Sequence, residues 1–237
     1  MKPEYPEKDY RQAFFGFTDT VRDLCATYPK PDIMEIGGGR RPLFMPDQWP
    51  ENLNSYTVND IEQQELDLAP EQNRTQCFDI CGAVENLDDH YDIIFSRFVG
   101  EHVPDGRKMH ENILRMLKPG GTAFHFVPTL YALPFLVNWI VPENMARRFL
   151  FLINPSRGKQ KVKFPAHYSW CRGSSDHLQA RLIDLGYASA KVDRFYGHYY
   201  FEKVPLLGQL ERTTRAVLRR ADFTVLGSYA YITVTKP

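Results

Sequence analysis

The residues best suited to chemistry fall into three groups. The first is the run Asp32-Ile33-Met34-Glu35-Ile36-Gly37-Gly38-Gly39-Arg40-Arg41-Pro42, an apolar strand pattern ending in a glycine turn that opens toward a helix. Glycines at such a turn let the backbone approach a ligand closely. The second group is two acids at later strand ends, Asp60 and Asp79. Asp60 lies about twenty residues past the turn, the distance at which an acid can accept hydrogen bonds from ribose hydroxyls. The third group is four histidines, His102, His125, His167 and His198, whose imidazoles can move protons near neutral pH. Two nucleotide readings of the glycine turn fail. A dinucleotide fingerprint starting at Gly37 needs a small residue at position 42, where Pro42 stands, and no Gly-Lys-Ser/Thr follows to make a phosphate loop.

Several stretches then fall in a recognisable order. Glu35, Gly37 and Gly39 form an acidic residue followed by x-G-x-G, and Val58-Asn59-Asp60 and Phe78-Asp79-Ile80 end the next two strands. Tyr91 to Asp105 reads as a fourth strand and the loop after it, and Leu114 to Gly121 (LRMLKPGG) reads as a helix end and turn before a fifth. Over roughly residues 30 to 127 this series resembles the class I S-adenosyl-L-methionine (SAM)-dependent methyltransferases, of the small-molecule kind found in ubiquinone and menaquinone biosynthesis. Arg41 departs from the pattern, since many members carry a third glycine there. The resemblance implies SAM as cofactor, held by Glu35, Gly37, Gly38, Gly39, Asp60, Asp79, Ser96 and Arg97, with no metal. It also implies a Rossmann-like α/β fold, a doubly wound, mostly parallel seven-stranded sheet with helical insertions on the acceptor side.

The elements that would position these residues are legible from period and punctuation. Strands are expected at Asp32 to Ile36, Ser55 to Val58, Thr75 to Phe78, Tyr91 to Ser96, Gly121 to Val127, Ala188 to Phe195 and Phe223 to Thr235. Helices are expected at Gly106 to Leu117 and at Ser174 to Leu185, the latter with a serine N-cap and Gly186 past its end. The whole chain, residues 1 to 237, reads as one methyltransferase domain interrupted at about 128 to 172 and 196 to 222.

Composition narrows the function further. Lys plus Arg and Asp plus Glu number 29 each, so no overall field attracts nucleic acid. Nor does an Asn/Asp-Pro-Pro-Tyr motif follow the fourth strand, where Ser96-Arg97-Phe98-Val99 stands. The first ten residues hold no apolar signal-type stretch, and the longest apolar run, Tyr131 to Val141, is about half a bilayer span. Four scattered cysteines fit a reducing compartment, so a cytoplasmic protein is expected, in peripheral contact with membrane if the 131 to 163 region touches lipid. That region is both apolar and basic, with Trp139, Phe149 and Phe151 near Arg147, Arg148, Arg157 and Lys159. It reads as a lid over an apolar or anionic small-molecule acceptor, as a lipid contact, or as helices packed on the sheet edge. Arg212, Arg215, Arg219 and Arg220 have helical spacing and are expected to form a solvated face.

The expected activity is methyl transfer to oxygen of a small molecule, lipid intermediate or sugar. A SAM-binding module that no longer catalyses, with the insertion as a partner interface, is the alternative. A hydroxyl acceptor needs a base. His167, in Phe164-Pro165-Ala166-His167-Tyr168-Ser169-Trp170, is the first candidate because the segment returns from the insertion over the strand ends, and His102, directly after the fourth strand, is the second.

Overall fold

A computed structural model describes residues 5–131, 165–200 and 205–237. The described residues form a seven-stranded sheet flanked by helices. In chain order they are α1 (Tyr10–Ala26), β1 (Asp32–Ile36), β2 (Ser55–Asp60), α2 (Gln63–Leu66), β3 (Arg74–Cys77), β4 (Tyr91–Arg97), α3 (Gly106–Met116), β5 (Leu117–Pro128), α4 (Ser175–Leu185), β6 (Ser189–Phe195), α5 (Pro205–Ala221) and β7 (Tyr229–Thr235). The strands lie in the order β3-β2-β1-β4-β5-β7-β6. All neighbouring pairs are parallel except those of β7, which runs antiparallel between β5 and β6. The expected doubly wound, mostly parallel sheet is therefore present. Strand order reverses between β1 and β4, and a ligand crevice belongs beyond the carboxyl ends of the strands at that switch.

The central strands are almost uniformly buried, as parallel strands covered on both faces must be. Phe17 of α1 stacks on Phe124 and Phe126 and meets Phe95 and Tyr231, so α1 closes one face of the sheet. This helix is absent from the expectations above, although Tyr10, Ala13, Phe17, Val21 and Cys25 recur at helical spacing and Asp9 caps the first turn. The expected N-cap of α4 holds: Ser174 accepts the amide of His177, and Gly186 ends the helix at φ +118°.

Two boundaries differ from expectation by more than two residues. β5 begins at Leu117, which pairs with Tyr91, and Lys118 to Gly121 bulge out before Thr122 pairs with Ile93. The breaker cluster interrupts the ladder without ending the strand. β7 begins at Tyr229, and the preceding residues Thr224–Leu226 form a short 3-10 turn closed by the Gly227 amide on the Thr224 carbonyl. Most of the second interruption, 196 to 222, is helix α5. The core of the first one, with Trp139, Phe149 and the 131 to 163 basic and apolar stretch beyond Tyr131, lies outside the described residues.

Candidate active site

The cofactor side is built from backbone. Gly37 and Gly39 hold positive φ, +71° and +47°, which only glycine adopts without strain. A Cβ on Gly37 would lie 2.5 Å from Val99 Cγ2, and one on Gly39 would lie 2.8 Å from Asp60 Oδ2. The turn is thus closed on one side by the loop after β4 and on the other by the acid that ends β2. The Gly38 amide donates to the Asn59 carbonyl at 3.0 Å, and the buried Asn59 amide donates to the carbonyls of Gln76 and Phe78 at 3.0 Å each. Asn59 therefore ties together the ends of β1, β2 and β3, where Gly38, Asp60 and Asp79 stand. Asn112 of α3 does the same for the following turn, donating to Ile80 and Gly82.

The eight residues assigned to the cofactor from sequence divide by geometry. Gly37, Gly38, Gly39 and Asp60 adjoin one another. Asp60 spends Oδ1 on the Glu62 amide at 3.0 Å and turns Oδ2 toward Gly39. Asp79 is exposed at the next strand end, with Oδ1 on the Cys81 amide at 2.8 Å. Glu35 is different: its buried carboxyl accepts from the Tyr56 hydroxyl and, at 2.8 Å, from the Leu43 amide. Burial pushes it up to about 7, against the lowering by those two bonds. Its side chain fastens the segment after the glycine turn to β2. Ser96 is also fully buried, and its hydroxyl pairs with His125 Nδ1 at 2.8 Å inside the sheet. Arg97 is exposed and its guanidinium lies 6.0 Å from the Phe17 ring centre. Asp60 and Asp79 thus keep carboxylate oxygens at the strand ends, while the Glu35 and Ser96 side chains are engaged inside the protein.

These residues fit SAM. Gly37 and Gly39 leave the turn's backbone bare of side chains, and Asp60 beside Gly39 offers a carboxylate of the kind that accepts hydrogen bonds from ribose hydroxyls. Among the described residues no group of three acids, histidines or cysteines is placed to hold a metal ion.

The acceptor side is built from side chains that meet across long stretches of chain. Glu101, in the loop after β4, is 5% exposed, and its Oε2 has no hydrogen-bond partner. Burial pushes its carboxyl up to about 8. Its main-chain oxygen accepts the amides of His167 at 2.7 Å and Tyr168 at 3.0 Å, so the segment returning from the first interruption docks on this loop. His102 is half-buried. Its Nδ1 lies 3.0 Å from the Pro165 carbonyl and its Nε2 lies 3.7 Å from Glu101 Oε1. A carbonyl only accepts, so Nδ1 carries the proton in that contact and Nε2 is the basic nitrogen of the neutral ring. His167 reaches the same place through its backbone, while its side chain is exposed. His125 lies within the sheet, and burial holds it well below the usual imidazole range. His198 is buried beyond β6, where its amide donates to Glu211.

Glu101 is a residue that sequence reasoning passed over. Its signal was an acid beside His102 in the loop after β4, but nothing local announces burial. Two backbone strains mark the same loops. Phe98 (φ +59°) and Tyr168 (φ +49°) are bulky residues in the left-handed region, which costs about 1 to 3 kcal/mol each and persists where the surroundings enforce it. Around them Phe14, Phe98, Phe126 and Tyr229 form an aromatic wall, with neighbouring ring centres 4.6 to 6.3 Å apart.

Residues 35–125 match a family model described as a methyltransferase domain. No curated protein matches the chain. Among solved structures, phosphoethanolamine N-methyltransferase 2 of Haemonchus contortus, in complex with SAM, is similar at 14% identity and a TM-score of 0.56, over 93% of this chain and 53% of that one. A SAM-dependent methyltransferase from Archaeoglobus fulgidus is similar at 16% identity and a TM-score of 0.53, over 96% of this chain and 98% of that one. The carbon methyltransferase CurJ is similar at 13% identity and a TM-score of 0.55, over 92% of this chain and 52% of that one. This chain spans about half the length of the first and third. At these identities the likeness is one of fold, and it covers more than nine-tenths of this chain. Residues 35–125 thus match a methyltransferase domain, and the described sheet has the fold of SAM-dependent methyltransferases.

Proposed function

We propose that this enzyme methylates an oxygen atom of a small-molecule acceptor held over the carboxyl ends of β4 and β5, with His102 as the general base. The observation that carries the reading is continuity. One short loop packs Val99 against Gly37 of the cofactor turn and, three residues later, presents the basic nitrogen of His102. When bound, SAM supplies a methyl group on a positively charged sulfur, open to in-line attack.

With SAM bound, His102 Nε2 would take the proton of the acceptor hydroxyl as that oxygen receives the methyl group the cofactor supplies. The Pro165 carbonyl fixes which ring nitrogen does this and steadies the imidazolium once formed. Burial favours the protonated, uncharged form of the Glu101 carboxyl beside this ring. The aromatic wall of Phe14, Phe98, Phe126 and Tyr229 suits an acceptor with a substantial apolar part and keeps competing water away. Gly37 to Gly39, Asp60 and Asp79 hold the cofactor on the other side of Val99.

The test is a panel of hydroxyl, amine and carbon-acid acceptors incubated with SAM, scored by S-adenosylhomocysteine and by the mass and position of the product methyl. O-methylated products whose formation depends on His102 are expected. Products methylated only on nitrogen or carbon would refute the assignment to oxygen while leaving the family intact.

A further inference from the structure

Helix α5 is turned inside out. Its inner face buries charge: Arg215, 8% exposed, lies 3.5 Å from Asp9 Oδ2 and 3.7 Å from Glu211 Oε2, and Glu211 is itself buried. Glu211 Oε1 also accepts the His198 amide, and the Arg215 guanidinium lies over Tyr10 at 5.6 Å. Of the arginines expected on a solvated face, Arg215 is therefore an internal anchor. The outer face carries an apolar stripe among the exposed polar residues Gln209, Arg212, Thr213 and Thr214. Leu206, Leu210 and Val217 are 83%, 64% and 60% exposed, and their spacing of four and seven residues puts them on one stripe. Exposed apolar side chains continue past the helix end at Phe223, Val225 and Leu226.

A helix folded onto a soluble core presents the opposite arrangement, apolar inward and charged outward. Here ion pairs fasten the helix and hold its leucines toward the outside, where none of the described residues covers them. The charges beside the stripe select what does. Arg212 and Arg220 are exposed and Arg219 is partly so, and the helix carries four arginines against one glutamate. A second copy meeting this face about a twofold axis would bring like charges together. A bilayer surface bearing anionic lipid accepts both features, with leucines entering the acyl boundary and guanidinium groups resting on phosphates. No helix among the described residues is long and apolar enough to cross a membrane, so the contact lies along the surface.

We propose that the outer face of α5, with the exposed residues of Phe223 to Leu226, is a membrane-contact surface selective for anionic bilayers. It is separate from the 131 to 163 stretch singled out by composition, and it does not depend on which atom is methylated.

The full chain is sedimented with vesicles of phosphatidylcholine alone or with about 30% phosphatidylglycerol. At least tenfold more protein bound to the anionic vesicles is expected, falling as salt rises. Leu210→Glu with Val217→Glu should abolish binding, and Arg212→Glu with Arg219→Glu should weaken it, while SAM affinity by calorimetry stays at the parent value. Leu210→Trp supplies a direct reading, a blue-shifted emission quenched by brominated lipid only in the presence of anionic vesicles. No binding by the parent chain, equal binding by the Glu variants, an unmoved emission from the Leu210→Trp variant, or a stable dimer that these Glu substitutions dissociate would each overturn the proposal.

Discussion

The cofactor side and the acceptor side of the proposed site are built by different means. The first is made of backbone: three glycines, two of them at positive φ, and short ties from Asn59 between adjacent strand ends. The second is made of side chains whose properties depend on burial, above all Glu101 and His102, held by residues more than sixty positions away in sequence. A backbone site tolerates little change in shape, because every atom near the ligand belongs to a fixed turn. A side-chain site can be retuned one residue at a time, so one fold can serve nitrogen and carbon methylation in the structures it resembles.

The sharpest way to separate the two sides is to remove the base. His102→Ala should keep SAM affinity by calorimetry and lose about 10²- to 10⁴-fold in kcat, the usual worth of a positioned general base, with the loss shrinking for an acceptor that is already ionised. His167→Ala should stay near the parent value, since only its backbone joins the loop. Reversed results would return the role to His167.

On the cofactor side Gly37→Val should cost most. Its Cβ would meet Val99 at 2.5 Å and its φ is left-handed, so a loss of about 2 to 4 kcal/mol in folding stability is expected along with weakened SAM binding. Thermal melts with and without SAM measure both. Asp60→Ala should act on binding alone, by about 1.5 to 3 kcal/mol, the range for a hydrogen bond to a charged group. A parent-like Kd would remove Asp60 from the cofactor site.

Stability against pH probes the acceptor side without an acceptor. Glu101 holds its proton up to about 8 when folded, whereas an unfolded glutamate releases it near 4.5. Between those values the folded chain binds the extra proton, so stability falls as pH rises through that window, by up to about 1.4 kcal/mol per pH unit from this group. Glu101→Gln should flatten that slope in urea melts between about pH 5 and 8. A variant with the parent's slope would mean that Glu101 is ionised in the folded state. The smallest effect belongs to the surface: Arg107→Ala breaks only the exposed pair with Glu111 and should cost under about 0.5 kcal/mol by the same melts.

The cofactor turn, six of the seven strands and two capped helices could be read from residue order. The signals involved are local: a glycine needs φ > 0 where it stands, Ser174 caps the turn that follows it, and strand runs alternate with breakers. The seventh strand begins later than its composition suggests, because Thr224 to Leu226, although strand-like in type, form a 3-10 turn closed by the Gly227 amide. Helix α1 carries a readable apolar period, but it follows directly on a charged, Pro-containing start that masks its first turn.

Three features were settled only by tertiary contacts. Glu35 and Ser96 stand in the expected stretches, but β2 and β5 bring Tyr56 and His125 to them, which turns both side chains inward. Four arginines at helical spacing looked alike until Asp9 and Glu211 took Arg215 into the interior. The pairing of Glu101 and His102 with Pro165 to Tyr168 joins segments that only the closed sheet brings together. Sequence alone determined what depends on neighbouring residues, namely the turn, the caps and the approximate positions of the strands. Burial, and with it the proton affinity of Glu101 and the outward face of α5, depends on the removal of water by distant parts of the chain, and no local pattern encodes that.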